Sequence, residues 1–153
     1  MNLVSGVELK DFLVKAKKAT YGSEAEPDAS PDGTKELTYS EGRYVYRDRY
    51  YCFDPFIGEE LVIVDGKPVW GMNYYGKVTS TECRPEEVYG FLVKALYEVP
   101  PEKPFRGPEE YEEGGWRYEA EIVGDVHCLH GRERIMCGGV DTYWLRFHGG
   151  SLR

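Results

Sequence analysis

The chain has 153 residues, 41% of them apolar and 14% aromatic, with 13 Tyr, 6 Phe and 3 Trp. That composition excludes disorder, and the length suits one domain (residues 1–153) with its own core. The formal charge of −8 comes with no Lys/Arg cluster, which argues against nucleic-acid binding by this chain alone.

Met1-Asn2-Leu3-Val4 is not a basic region followed by a long apolar run, so no signal peptide is expected. No apolar stretch approaches the ~20 residues of a membrane-spanning helix. Both points predict a cytoplasmic protein that does not engage a membrane. Cys52, Cys83, Cys128 and Cys137 form no CxxC pair and read as buried, reduced thiols. The chain has no Gln and two Asn, Asn2 and Asn73, a depletion of thermolabile amides that points to a thermophilic source.

The first predicted element is a helix. Leu9, Phe12, Leu13 and Ala16 share one face, with Lys10, Lys15, Lys17 and Lys18 mostly off it. Ser5-Gly6-Val7-Glu8 reads as a capping box, and Gly22 as a terminator. A polar loop to about Lys35 follows. Three strands come next, with Asp65-Gly66 as a hairpin turn that needs positive φ. A second helix carries Val88, Phe91, Leu92, Ala95 and Leu96 on its apolar face. Pro85 suits its first turn and Pro100-Pro101 stop it. A loop from Val99 to about Pro108 leads into three more strands, with a turn at Gly138-Gly139.

The two halves repeat. Phe12-Leu13-Val14-Lys15-Ala16 recurs as Phe91-Leu92-Val93-Lys94-Ala95, and Tyr39-Ser40-Glu41-Gly42 matches Tyr111-Glu112-Glu113-Gly114. Gly58, Glu60, Val62, Gly66, Trp70, Tyr74 and Gly76 fall on Gly131, Glu133, Ile135, Gly139, Tyr143, Phe147 and Gly149, each 73 residues later. Constant spacing across a whole hairpin marks a duplicated αβββ unit, with repeats over about residues 5–79 and 80–153. The expected fold is α+β: a largely antiparallel sheet of about six strands with two helices packed on one face.

Period-two alternation sorts the strand residues. Tyr44, Tyr46, Asp48 and Tyr50 share a side, matched by Trp116, Tyr118, Ala120 and Ile122. Trp70, Met72 and Tyr74 match Tyr143, Leu145 and Phe147 as core. Behind them, Asn73 and Tyr75 stand against Trp144, Arg146 and His148, a mix of aromatics and hydrogen-bonding groups that fits a ligand site.

A feature present in one half only is not needed to fold the unit, so function is sought there. Asp48, opposite Ala120, reads most simply as a strand-end acid in water or paired with an Arg. If desolvated it would carry a raised pKa or accept from tyrosine hydroxyls. Glu60 and Glu133 would form an acid/base pair if they met across the pseudo-twofold. Their symmetry favours a structural role at the head of each hairpin. His127-Cys128-Leu129-His130 puts its histidines on opposite strand faces and matches no zinc spacing. No GxSxG elbow or phosphate loop is present.

Phe56-Ile57-Gly58-Glu59-Glu60 and Val69-Trp70-Gly71-Met72-Asn73-Tyr74-Tyr75-Gly76 resemble an uncharacterised prokaryotic family of domains of unknown function. The opening helix, Phe12 to Tyr21, is similar to it as well, so the resemblance would span nearly the whole chain. Some members follow an Xre-type helix-turn-helix in predicted regulators; this sequence opens on the domain's first helix. A shifted repeat boundary is similar to GyrI-like ligand-sensing domains, which hold small molecules between their halves. The resemblance supplies no catalytic residues.

The sequence thus predicts a non-catalytic small-molecule-binding or sensory domain. Asp48, Asn73, Tyr75, Trp144, Arg146 and His148 are its ligand-binding residues, and no metal or other cofactor is expected. Arg146 would hold an anionic group, Asn73 and His148 would orient it, and Tyr75 and Trp144 would supply apolar walls. The alternatives are an enzyme with His148 or a carboxylate as general base, and a self-associating scaffold, with a homodimer as the possible protein partner.

Overall fold

The computed structural model describes residues 4–20 and 26–153. The first helix, α1 (Gly6–Ala19), begins with the expected capping box. The Ser5 hydroxyl accepts from the Glu8 amide at 3.1 Å, and the Ser5 amide donates back to the Glu8 carboxylate at 3.3 Å. Its buried face carries Leu9, Phe12, Leu13 and Ala16, and also Lys17, against expectation. Gly22, the expected terminator, lies outside the described residues. The second helix, α2 (Pro85–Tyr97), has Pro at its first turn and buries Val88, Phe91, Leu92, Ala95 and Leu96.

Between and after the helices run β1 (Asp28–Ala29), β2 (Thr34–Glu41), β3 (Tyr44–Tyr51), β4 (Phe56–Val64) and β5 (Lys67–Val78), then β6 (Glu110–Glu113), β7 (Trp116–Asp125), β8 (Cys128–Cys137) and β9 (Val140–Ser151). They form one antiparallel sheet of nine strands in the order β1-β2-β3-β4-β5-β9-β8-β7-β6. The class is α+β as expected, but six strands was too few. The extra strands are β1, inside the first expected loop, and β2 and β6, between the expected loops and the strands that follow: β2 pairs along all of β3, and β6 pairs with β7. β2 buries only Thr34 and Leu37, and β6 is Glu-Tyr-Glu-Glu, so neither carries the apolar alternation by which a strand is recognised. Backbone pairing with a strong neighbour holds them.

The hairpin turns fall where expected, with positive φ at Asp65, Gly66, Gly138 and Gly139. Apart from β1, the strand order is a mirror image about the β5·β9 pair, where Tyr74 stands opposite Phe147 and Asn73 opposite His148. One face of the sheet carries Tyr46, Val62, Trp70, Met72, Tyr118, Ile135, Tyr143, Leu145 and Phe147, all buried in one cluster with the apolar faces of both helices. The other face is open. The four cysteines are free but not buried: Cys52 and Cys128 are exposed, and Cys83 and Cys137 are half-buried.

Candidate functional site

The covered face holds five ionisable groups where an apolar core would be expected. Lys17 and Glu60 are fully buried and pair at 2.8 Å. Lys17 also donates to the Phe105 carbonyl, and Tyr46 donates its hydroxyl to Glu60 at 2.5 Å. Arg106, from the segment between α2 and β6, grips Glu133 with two nitrogens, and Tyr118 and Tyr143 donate to the same carboxylate. Desolvation pushes the Lys17 ammonium below its ordinary value, with Glu60 pulling the other way. Burial raises the hydroxyls of Tyr118 and Tyr143 well above the usual tyrosine range. Glu60 and Glu133 therefore do not form a paired-carboxylate site, because each has its own cation.

Asp48 is the exception. It is 3% exposed, so it is neither a solvated strand-end acid nor an arginine's partner. Its neighbour across β4 is Glu60, and no cation lies in salt-bridge range among the described residues. The Tyr74 hydroxyl donates to Asp48 Oδ1 at 2.5 Å. Desolvation first, then the nearby Glu60 charge, push the Asp48 carboxyl up to about 7. Tyr74 reaches it because Gly58 lies beneath its ring; a Cβ there would overlap the Tyr74 hydroxyl and the Arg49 carbonyl.

Above Asp48 a cavity of about 220 Å³ opens between β3, β4 and α2. Asp48, Tyr74 and Arg106 line it together with Leu37, Tyr50, Phe53, Phe56, Tyr89 and Leu92. The rings brace one another. Tyr89 meets Phe53 and Phe56 edge-on at 5.0 and 5.5 Å, and Phe56 meets Tyr74 at 5.8 Å. Tyr89 is fixed by donating to Asp54 at 2.6 Å, and Asp54 also accepts from the Val78 amide. The guanidinium of Arg106 lies 5.6 Å over the Tyr74 ring.

The other five predicted residues lie on the opposite, open face. Asn73, Tyr75, Trp144, Arg146 and His148 sit together along the β5·β9 seam. Tyr75 and Trp144 are in ring contact at 5.8 Å, and Arg146 lies 5.7 Å over Trp144. Asn73, Tyr75, Arg146 and His148 line a concavity of about 790 Å³ shared with Glu36, Arg49 and Glu59, while Trp144 borders a neighbouring one. The sheet thus separates Asp48 from the rest of the predicted set. Sequence reasoning missed Lys17, Arg106 and Tyr89. Of these only Tyr89 carried a signal, an aromatic one turn into a helix whose repeat partner is Lys10.

His127 is held by Ser151 at 2.8 Å, and no three of His, Cys, Asp and Glu cluster as metal ligands among the described residues. No helix among them is long and apolar enough to cross a membrane.

A family model, Domain of unknown function (DUF5680), matches residues 48–152, from Asp48 in β3 to the end of β9. The chain belongs to the DUF5680 family. The match leaves α1, β1 and β2 outside, so it is shorter than the near-complete span first expected. No curated protein and no solved structure matches this DUF5680 chain.

Proposed function

We propose that this DUF5680 chain is a small-molecule-binding domain with no chemistry of its own, and that its site is the pocket beneath α2. The observation that carries this is a cavity lined by aromatic residues that also counts the buried Asp48 and its hydrogen-bond partner Tyr74 among its lining. Apolar enclosure with a few convergent polar groups is the general pattern of ligand sites. At about 220 Å³ the pocket is smaller than the ~300 Å³ that drug-sized ligands need, so the ligand is a single ring or its equivalent.

The duplication supports this location. We take the halves as copies of one unit because their hairpins carry irregularities at equivalent points, Val62/Ile63 and Ile135/Met136. Asp48 and Tyr74 then correspond to Ala120 and Phe147, so the polar floor belongs to one copy and is not required to build the unit. A general-base enzyme is less well supported. His127, His130 and His148 are exposed, whereas Asp48, Glu60 and Glu133 lie under the helices.

Fragment screening by protein-observed NMR tests the reading. Hits should shift resonances of Phe56, Leu92 and Leu96, and Val93→Trp, which fills the pocket from α2, should abolish those shifts. Hits confined to other surfaces would overturn it. One observation favours a second site: Arg146 lies on Trp144 with no carboxylate in salt-bridge range among the described residues. A ligand held there would be anionic, and Arg146→Ala would release it with the α2 pocket intact.

A further inference from the structure

We propose that the pocket beneath α2 takes a small monovalent organic cation, an aromatic or quaternary amine, with the Asp48 carboxylate as its counter-ion. This rests on the pocket's being a binding site and adds the class of ligand. The first support is the charge count. Lys17 is matched by Glu60, and Arg106 by Glu133, both at ion-pair distance and buried. Those four charges cancel, and among the described residues Asp48 is the buried acid of the group with no cation in salt-bridge range. A carboxylate this enclosed is rare without a partner. A bound cation completes a third ion pair, whereas an anion would meet three carboxyls and two cations already engaged.

The second support is the wall. Tyr50, Phe53, Phe56, Tyr74 and Tyr89 line the cavity, and the faces of such rings attract a desolvated cation. Rings above a carboxylate are a complementary environment for an ammonium group that has shed its water. Pocket size sets the upper limit on the ligand, one ring and a short cationic arm.

The groups facing Asp48 from the elements around it are Lys17 of α1, Tyr50 of β3, Glu60 of β4, Tyr74 of β5 and Arg106 before β6; α2 contributes Tyr89. Lys35 Nζ lies 5.8 Å over the Tyr50 ring. Burial and the nearby Glu60 charge push the Asp48 carboxyl up to about 7. The cation needs the carboxylate, so binding at a pH below that value releases one proton.

The test titrates the full chain with benzyltrimethylammonium and, in parallel, with its uncharged carbon isostere neopentylbenzene, following pocket resonances by NMR. The cation's affinity is expected to rise about tenfold per pH unit below pH 7 and to level off above it, while the isostere's stays flat. Asp48→Asn should weaken the cation at least about tenfold at pH 8 and leave the isostere unchanged. The pH profile of the unmutated chain carries the test if that variant does not fold. If the isostere binds as tightly as the cation at pH 8, or if the cation's affinity ignores pH, the cation proposal falls and the binding site stands. If neither probe perturbs the pocket at millimolar concentration, both fall.

Discussion

Asp48 costs the fold stability, and the sign of that cost can be measured. Its folded value of about 7 lies above the ordinary 3.8, so the native state binds the extra proton between those values. Stability from this group is therefore full at low pH and is lost as pH rises from about 4 through 7. Asp48→Asn removes the charge while keeping a partner for Tyr74. It should raise the urea midpoint at pH 8 by the equivalent of about 1–3 kcal/mol and leave it unchanged at pH 4. A variant no more stable at pH 8 than at pH 4, relative to the parent, would show that the carboxyl is not desolvated. The Arg106–Glu133 pair behaves differently because both partners are enclosed. Glu133→Ala strands a buried guanidinium and should cost about 3–5 kcal/mol, whereas Arg106→Met with Glu133→Leu should cost much less. Urea unfolding of the single and double variants gives the comparison; equal losses would contradict it.

At the scale of strands and helices, the glycines beneath Tyr74 and Phe147 decide how close the rings lie to the sheet. Gly58→Ala would drive a methyl into the Tyr74 hydroxyl and the Arg49 carbonyl, and Gly131→Ala into the Phe147 ring and the Glu121 carbonyl. Each should destabilise by about 1–3 kcal/mol. Only Gly58→Ala should also break the Asp48–Tyr74 hydrogen bond, seen as a rise in the Asp48 titration midpoint by carboxyl-carbon NMR, because that donated bond holds the midpoint down. Much of this was legible in the sequence. Alternation put Asp48 and Tyr74 on the core side, and comparison of the two sequence repeats marked Asp48, opposite Ala120, as unmatched. Charge argued the opposite for Asp48, and alternation proved the better guide. Lys17 and Arg106 were not legible. A lysine beside an apolar helical stripe reads as solvated, and an arginine in a Pro-rich loop reads as surface. Their partners Glu60 and Glu133 are distant in the chain. The outer strands β2 and β6 escaped for a related reason, since their stability comes from the neighbouring backbone and not from their own side chains.

Across the whole molecule, the covered face ties the two halves together more tightly than the β5·β9 seam alone. Trp70 of the first half donates to the Val126 carbonyl of the second at 2.9 Å. Lys17 reaches the Phe105 carbonyl, Tyr89 of α2 reaches Asp54, and Arg106 lies over Tyr74. The walls of the α2 pocket thus come from both halves: β3, β4 and β5 from the first, α2 and Arg106 from the second. Each half carries its own buried ion pair, but neither can bury its apolar face alone. Residues 1–79 and 80–153 expressed separately should therefore be unfolded by far-UV circular dichroism. The intact chain should unfold in one transition, with far-UV circular dichroism and tryptophan fluorescence coincident. Trp70, Trp116 and Trp144 report from both halves, so separated fluorescence and dichroism midpoints would reveal independent units. A ligand in the α2 pocket bridges the two sides of that single transition. At a hundredfold excess over its dissociation constant it should stabilise the whole molecule by about 2.7 kcal/mol, moving both signals together.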